Sequence, residues 1–352
     1  SSRLIADIPT RVEMIAGEEL SEKGNMKPGD IRMLLNESTG IQTQQTSATS
    51  YNSSIRIQGL DGKYTQLLRD GLPFYAGFSG GLSLMQIPPL DQFEKVGTTV
   101  FVSYNKGNAY DPSSVGLTAI PEFDRFTINP KLFWQPKADT ELILGFNWTK
   151  EDRLGGNLAF IEGEEVTDPY FERNQTNRFS TQTSFTKELE GELKLEFKNS
   201  LNFFNREITL PDYTFGGKQF SSFSELNLRK EAEKMEWAAG ANLWTENFNQ
   251  DQGNLAENLD YQLNTVGAFV QIIWNMAEKW TLESGFRLDY QEDYGLFALP
   301  KVSLMVEPSE QLTLRLGGGL GYKSPTVFSE EAERISFRNV LPIDPSQFKA
   351  ER

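Results

Sequence analysis

The residues of this chain that could do acid–base chemistry are carboxylates, and they stand without their usual partners. Glu164 and Glu165 form one adjacent pair, and Glu330 and Glu331 form another, all in segments predicted to be loops. The chain contains no Cys and no His, so it lacks a thiol nucleophile, thiolate metal ligands and the usual general base near neutral pH. We interpret the pairs as acidic surface, and the sequence predicts neither an enzyme nor a resident metal or cofactor.

Two further kinds of chemistry are disfavoured. Residues 317–324 (Gly-Gly-Gly-Leu-Gly-Tyr-Lys-Ser) hint at a phosphate-binding loop, but Gly-Lys-Ser is not contiguous and no helical pattern follows. The 352 residues include 34 Lys and Arg against 49 Asp and Glu, which gives a formal net charge of −15. Because nucleic acids are bound by basic patches, this balance argues against a nucleic-acid partner.

The elements that must position the polar residues are long strands. From about residue 97 onward apolar residues recur at every second position, as where Leu193, Leu195 and Phe197 alternate with lysine and glutamate. This period of two is typical of strands, whereas a helix would repeat every 3.6 residues. The pattern predicts about eleven strands, near 97–105, 123–135, 139–150, 176–187, 191–208, 219–230, 233–247, 261–275, 279–291, 295–307 and 311–322.

Most of these predicted strands are longer than the roughly 5–6 residues of an average strand. They also reach the length of about 9–11 residues that a tilted strand needs to cross a bilayer core. Their connections alternate between short turns and longer polar loops, with 291–295 as a short exception, and such sorting is typical of outer-membrane β-barrels. The alternative is a large soluble β-protein with one buried face, which is disfavoured because sandwich strands are shorter. The longer connections are 106–122, 151–175, 209–218, 248–260 and the segment from 323 onward.

Sorting the strand residues by parity separates an apolar face from a polar one. Two aromatic bands are predicted on the apolar face, as expected at two membrane interfaces. They consist of Trp134, Trp274 and Trp280 beside the short turns, and of Tyr104, Trp148, Tyr290 and Tyr322 at the loop ends. The polar residues would cost several kcal/mol each on lipid near the midplane, so we expect them to face a wet lumen or a polar filling. They are Arg125, Lys131, Glu141, Asn147, Arg178, Gln182, Lys194, Glu196, Lys198, Asn202, Glu236, Asn242, Gln271, Arg287, Lys301 and Arg315.

The N-terminal residues, 1–91, follow a different pattern and are predicted to form a small α+β unit. Residues 8–15 and 53–59 alternate like short strands, and 27–35 is predicted to be a short helix. Asp70-Gly71 marks a turn between two short apolar stretches.

Three motifs of this unit carry a family resemblance. Residues 55–60 (Ile-Arg-Ile-Gln-Gly-Leu), 67–73 (Leu-Leu-Arg-Asp-Gly-Leu-Pro) and 87–89 (Ile-Pro-Pro) resemble the plug of TonB-dependent outer-membrane receptors. Residues 8–15 are similar to the first plug strand of that family, and 321–326 (Gly-Tyr-Lys-Ser-Pro-Thr) to an element that follows a middle barrel strand. Two departures are Gln58, where the family usually has Arg, and Arg69, where an apolar residue is usual.

The resemblance implies a membrane all-β fold, with an N-terminal α+β plug at 1–91 and an antiparallel transmembrane β-barrel at 92–352. Plugged transporter barrels have 22 strands, so about eleven strands amount to about half of one. The segment with which the family continues after residue 90 is absent here, and so are a TonB box before the plug and a terminal aromatic residue. We therefore expect an incomplete or gapped sequence of a larger protein, with a break near 90–95.

The resemblance also implies TonB-dependent active import of a scarce ligand across the bacterial outer membrane. Ferric siderophores are the commonest cargo, and cobalamin, copper, haem and oligosaccharides are alternatives; the absence of His disfavours direct haem or metal ligation. A passive porin-like barrel is the alternative of another class. The implied partners are the TonB energy-transducing protein on the periplasmic side, the small-molecule ligand, and outer-membrane lipid and lipopolysaccharide.

Ligand binding is expected at the apical loops of the plug and at the long barrel loops. For Phe74 and Tyr75 the alternative is packing inside the plug, and for the aromatic residues of the loops it is ordinary loop packing. The predicted ligand-binding residues are Gln58, Phe74, Tyr75 and Phe78 in the plug, and Tyr110, Phe160 and Tyr170 in the long loops.

Overall fold

Two parts of the chain differ in construction, a small N-terminal unit before residue 97 and a large sheet from residue 97 onward. The computed structural model describes residues 9–10, 35, 38, 40–45, 53–73, 77–80, 86, 97–232, 234–252, 258–309 and 311–352. Most of the elements predicted at 8–15 and 27–35 lie outside these residues, and so does the expected break near 90–95. No helix within the described ranges is long and apolar enough to cross a membrane.

A pair of antiparallel strands and one helical turn build the first described part of the N-terminal unit. β1 (Ile41–Gln45) pairs with β2 (Ser53–Ile57), which confirms the strand predicted from the alternation at 53–59. A single 3₁₀ turn follows at Gly62–Tyr64, and the side chain of Asp61 caps it by accepting a hydrogen bond from the backbone N–H of Lys63 at 3.0 Å.

A tight hairpin follows. β3 (Leu68–Arg69) pairs with β4 (Leu72–Pro73), and Asp70-Gly71 is the turn between them. The φ angles of Asp70 and Gly71 are 53° and 76°. A two-residue type I′ turn requires positive φ at both central residues, so the turn predicted from Asp-Gly is confirmed.

Eleven antiparallel strands form one sheet in the described part of the chain, and each pairs with its neighbours in sequence from β5 to β15. This number and this order confirm the sequence prediction. The two edge strands, β5 and β15, do not pair with each other within the described ranges, so the sheet is open there. The strands are β5 (Gly97–Gly107), β6 (Glu122–Lys137), β7 (Thr140–Gly156), β8 (Phe171–Glu188), β9 (Leu193–Leu210), β10 (Tyr213–Glu231), β11 (Met235–Gln252), β12 (Tyr261–Ala277), β13 (Trp280–Gln291), β14 (Gly295–Ser309) and β15 (Leu312–Gly319).

Several strands extend further than predicted at one end of the sheet, which we call the loop end because the connections 108–121, 157–170 and 253–260 lie there; the opposite end is the turn end. The prediction of a long connection at 209–218 is wrong, since β9 and β10 continue to a two-residue turn, Pro211-Asp212. β10 has 19 residues, about 60 Å at about 3.3 Å per residue. That length is about twice a hydrocarbon core of about 30 Å, so the β9–β10 hairpin extends beyond it.

The outward face of the sheet is apolar and exposed along its whole width. A contiguous apolar surface of this size is unusual on a soluble monomer and is what a lipid-facing wall requires. The exposed side chains include Val100, Tyr104, Leu132, Trp134, Leu144, Phe197, Phe203, Leu226, Leu243, Val266, Trp274, Trp280, Phe286, Tyr290, Val302 and Leu314.

The two aromatic bands lie on this face with one exception. The prediction for Tyr322 is wrong because β15 ends at Gly319 and the chain turns to the polar face. The Tyr322 ring stacks on buried Phe297, with ring centroids 3.9 Å apart. Burial there, together with the nearby Asp289 carboxylate, raises the pKa of Tyr322 to about 12.

The segment after β15 folds back over the loop end of the polar face. It contains the short helix α2 (Glu330–Arg334), which begins after Ser329, whose Oγ accepts a hydrogen bond from the Ala332 N–H at 3.3 Å. Lys323 and Glu351 exchange both backbone hydrogen bonds, at 3.0 and 2.9 Å, and so close the segment into a loop. We call residues 323–351 the return loop. A second short helix, α1 (Leu158–Ile161), lies in the connection between β7 and β8.

Candidate functional site: the N-terminal unit against the polar face

The β3–β4 hairpin is held on the polar face by charged side chains. Lys131 Nζ on β6 donates a hydrogen bond to Asp70 Oδ2 at 2.8 Å. Arg69 Nη2 donates to Asn129 Oδ1, also on β6, at 3.0 Å. The ammonium group of Lys198 on β9 lies beside Gly71. Lys131 and Lys198 belong to the residues predicted to face the lumen, so the parity prediction is confirmed for them.

A second contact joins Ser79 and Gln86 to the part of the sheet near its loop end. The Ser79 N–H donates to Gln219 Oε1 at 2.7 Å, and the Ser79 carbonyl accepts from Arg178 Nη2 at 3.0 Å. Gln86 Oε1 accepts from Arg178 Nε at 2.9 Å, while Gln86 Nε2 donates to Glu151 Oε2 at 3.0 Å. Arg178 therefore binds the N-terminal unit at two points, and all of these groups are buried.

Two arginines flank the buried Glu151 carboxylate, which accepts the hydrogen bond from Gln86. Glu151 accepts hydrogen bonds from Arg125 Nε at 3.1 Å and Nη2 at 3.2 Å, and it forms a second ion pair with Arg153. Two guanidinium groups thus share one carboxylate away from water, and the pairing with Arg125 is bidentate, the geometry that strengthens such hydrogen bonds. Removing the Glu151 carboxylate would leave two buried guanidinium charges uncompensated, and breaking a buried ion pair in this way costs about 3–5 kcal/mol.

Phe78 is the apolar centre of the contact between the N-terminal unit, the wall and the return loop. Its side chain is 1% exposed. Among the described residues, five rings surround it with centroids 4.9 to 5.9 Å away. They belong to Phe204, Phe215 and Phe248 on β9, β10 and β11, and to Phe328 and Phe337 in the return loop.

The return loop is tied to the same place by charge. Arg206 Nη2 on β9 pairs with Glu333 Oε1 at 2.5 Å, and Arg206 Nε donates to Asn174 Oδ1 at 2.8 Å. Arg56 of the N-terminal unit lies 3.6 Å from Glu330. The loop therefore contacts both the wall and the unit that the wall holds.

At the loop-end tip of the N-terminal unit, the 3₁₀ turn meets the closing residues of the return loop. Tyr64 OH donates to Glu351 Oε2 at 2.6 Å, and Lys63 Nζ donates to Glu351 Oε1 at 3.2 Å. Lys323 Nζ donates to the Lys63 carbonyl at 2.6 Å. The hydrogen bond from Tyr64, and then that from Lys63, lowers the pKa of Glu351, so this carboxylate is ionised near neutral pH.

The predicted ligand-binding residues of the N-terminal unit have different surroundings. Gln58 is exposed, lies next to the 3₁₀ turn and has a positive φ of 52°. Phe78 is buried in the aromatic cluster and has no exposed surface to offer. Phe74 and Tyr75 lie outside the described residues. Gln58 is therefore the exposed one among the described residues of this group.

The predicted loop aromatics belong to one loop assembly. The Leu158 N–H donates to the Gly116 carbonyl, and the Asn157 N–H donates to the Tyr170 carbonyl, which joins the connections 108–121 and 157–170. Within this assembly Tyr110 and Tyr170 are 57% and 46% exposed. Phe160 stacks on Phe171 with centroids 5.0 Å apart, as the packing alternative expects.

Sequence reasoning missed Glu151, Arg153 and Arg206 as residues of the polar face. For Glu151 and Arg153 the signal was present, because the odd parity of Asn147 and Thr149 continues through them to the end of β7. Arg206 has the same parity as Asn202 on β9. Among the described residues, no group of three or more carboxylates is placed to hold a metal ion.

The sheet has an apolar outward face, and its inner face holds the N-terminal unit largely through polar contacts. These two features define the class of protein, a β-barrel wall with a plug. The family profiles agree: the "TonB dependent receptor-like, beta-barrel" profile matches residues 89–332, and the "TonB-dependent Receptor Plug Domain" profile matches residues 5–98. The chain belongs to the TonB-dependent receptor family. From here the N-terminal unit is called the plug.

Solved structures with the same fold include two siderophore receptors PirA. That from Pseudomonas aeruginosa is 14% identical with a TM-score of 0.61, and the matched region covers 87% of this chain and 61% of that one. That from Acinetobacter baumannii is 14% identical with a TM-score of 0.64, covering 87% and 60%. The copper transporter OprC is 13% identical with a TM-score of 0.64, covering 85% and 61%. The chain thus spans about three fifths of these proteins. No curated protein matches it significantly in sequence.

Proposed function

We propose that this chain is part of a receptor that imports a scarce ligand across the bacterial outer membrane by TonB-dependent movement of its plug. The observation that carries the proposal is the chemistry of the plug–wall contact. Apart from Phe78, the contacts described above are hydrogen bonds and ion pairs, such as Asp70 with Lys131 and Gln86 with Glu151. Polar contacts can be exchanged for water as the plug moves, and hydrogen bonds to charged groups such as these have a net worth of about 1.5–3 kcal/mol each.

An apolar plug seat would behave differently. Moving it would expose apolar surface at about 25 cal/mol per Å², and water could not compensate for the lost contacts. The charged wall therefore favours a plug that is held firmly at rest and released by external work. A passive porin needs no such plug, so the same contacts argue against the porin alternative.

For the ligand we propose a ferric siderophore. Support comes from the family and from structural relatives that are described as siderophore receptors, and one relative is described as a copper transporter. Cobalamin, haem and oligosaccharides are the competing ligands. The exposed residues at the loop end, Gln58 on the plug and Tyr110 and Tyr170 on the barrel loops, are the proposed first contacts.

The test is uptake by cells that produce the intact receptor, with TonB coupling present or abolished. We expect a radiolabelled ferric siderophore to be accumulated only when coupling is intact, and to bind at the cell surface in both cases. Uptake that persists without coupling would support the porin alternative. Binding of cobalamin or a glycan with no response to any siderophore would replace the ligand but keep the transport mechanism.

A further inference from the structure

The contact of Glu351 with the plug tip has the form of an occupied anion site. Its two carboxylate oxygens accept hydrogen bonds from two different donors of the 3₁₀ turn, Tyr64 OH at 2.6 Å and Lys63 Nζ at 3.2 Å. A third donor group, the Lys323 ammonium, is fixed beside them by its hydrogen bond to the Lys63 carbonyl. The Lys63 ammonium and the Tyr64 hydroxyl thus bind one carboxylate directly, and the Lys323 ammonium lies close enough to add a weaker electrostatic attraction.

This carboxylate comes from the return loop and not from the plug. The backbone pairing of Lys323 with Glu351 holds the base of the return loop at the tip of the plug. The other nearby carboxylate of the plug, Asp61, is already used, since it caps the turn through the Lys63 N–H. If Glu351 swung away, its place would be open to another carboxylate.

The contact is exposed and can be exchanged. The side chains of Lys63 and Glu351 are 42% and 55% exposed, and ion pairs of this kind contribute little net stability because water and salt compete for them. Burial, and then the neighbouring Lys63, lowers the pKa of Lys323. An added anion would relieve the repulsion between the two ammonium groups, as Glu351 now does.

The site lies at the loop end, next to exposed Gln58 and Leu60, where the proposed function brings the ligand to the plug. We propose that Lys63, Tyr64 and Lys323 form a recognition site for a carboxylate group of the imported ligand, and that Glu351 occupies this site until the ligand displaces it. This inference rests on the proposed function and adds the chemical class of the ligand.

Displacement has a second consequence. The return loop that carries Glu351 also carries Phe328 and Phe337, which pack on Phe78 of the plug. A ligand that takes the place of Glu351 would remove one of the bonds that fasten the return loop over the plug. Ligand binding and release of the return loop from the plug are then coupled through the side chain of Glu351.

The experiment compares the intact receptor with its Glu351→Gln variant in binding two probes. Ferric citrate presents carboxylates, and an uncharged ferric tris-hydroxamate presents none. Because Glu351→Gln removes the competing charge but keeps the size, we expect ferric citrate to bind about two- to fivefold more tightly, with hydroxamate affinity unchanged. The matched control is Glu164→Gln, an exposed carboxylate of the loop 157–170, which should change neither affinity.

A second variant tests whether the tighter binding depends on the donors of the proposed site. Adding Lys63→Met to Glu351→Gln removes a donor of the site, and ferric citrate binding should fall below that of Glu351→Gln alone. The proposal is overturned if Glu351→Gln behaves like Glu164→Gln, if it tightens both probes equally, or if ferric citrate binds none of the proteins. These results leave the proposed import function standing, because that function is judged separately by TonB-dependent uptake.

Discussion

Replacing Phe78 by Ala should loosen the plug while leaving the barrel wall intact. The side chain is 1% exposed and touches rings from three strands and from the return loop. Phe→Ala changes at such sites cost about 3–5 kcal/mol. Since 1.4 kcal/mol corresponds to a factor of ten, the fraction of molecules with an unseated plug should rise about 100- to 4,000-fold.

Because these 352 residues contain no Cys, the labelling of a single introduced Cys can report whether the plug is seated. A single Cys in place of buried Ser79, whose hydrogen bonds to Gln219 and Arg178 use its backbone atoms, should react with a water-soluble maleimide only when the plug is unseated. Phe78→Ala should then raise the labelling rate by at least two orders of magnitude. The control is Phe203→Ala, an outward residue that is 45% exposed and should leave the rate unchanged. Equal rates in the two variants would refute the role assigned to Phe78.

Two further predictions follow from local geometry. Gly77→Ala should raise the same labelling rate, because Gly77 has a φ of +55° and its added Cβ would overlap Glu246 and Tyr261; Gly80→Ala, where a Cβ meets open space, is the control. The hydrogen bond from Arg338 lowers the pKa of Asp212, so this contact should be fully present above about pH 4 and be lost as pH falls through the lowered value. Pepsin cleavage of the return loop, normalised to unfolded chain, should rise in that acid range, whereas Asp212→Asn should show no such step; a step in both proteins would contradict the assignment.

The strands could be predicted because an apolar residue at every second position indicates both that the segment is a strand and which of its faces is apolar. The number of strands, the Asp70-Gly71 turn and the inward direction of Lys131 and Arg178 all follow from residue type and spacing. The ends of the strands could not be placed by the same rule. In the extension of β9–β10 the alternation continues, with Ile208, Tyr213 and Phe215 buried in the cluster around Phe78. The Pro211-Asp212 turn signal does not by itself distinguish a two-residue turn from a longer loop.

The return loop is the part that sequence could not supply. Phe328 and Phe337 follow no strand or helix period, and nothing local indicates that they pack on Phe78, which is far away in sequence. The contact of Glu351 with Lys63 likewise joins residues 288 positions apart. Such contacts depend on how the chain returns over the sheet after β15. The alternation of apolar and polar residues along a strand carries no information about that path.

The proposed import mechanism requires the plug to move against the wall, and a reversible cross-link between plug and wall tests this requirement. Asp70 and Lys131 join plug and wall at 2.8 Å, and both can be replaced by Cys in a chain that has none. A short, reducible bis-maleimide bridge between the two positions should abolish ligand uptake but keep surface binding, and reduction should restore uptake. The single-Cys variants treated with the same reagent should transport normally. Undiminished uptake by the bridged receptor would contradict the proposed movement of the plug.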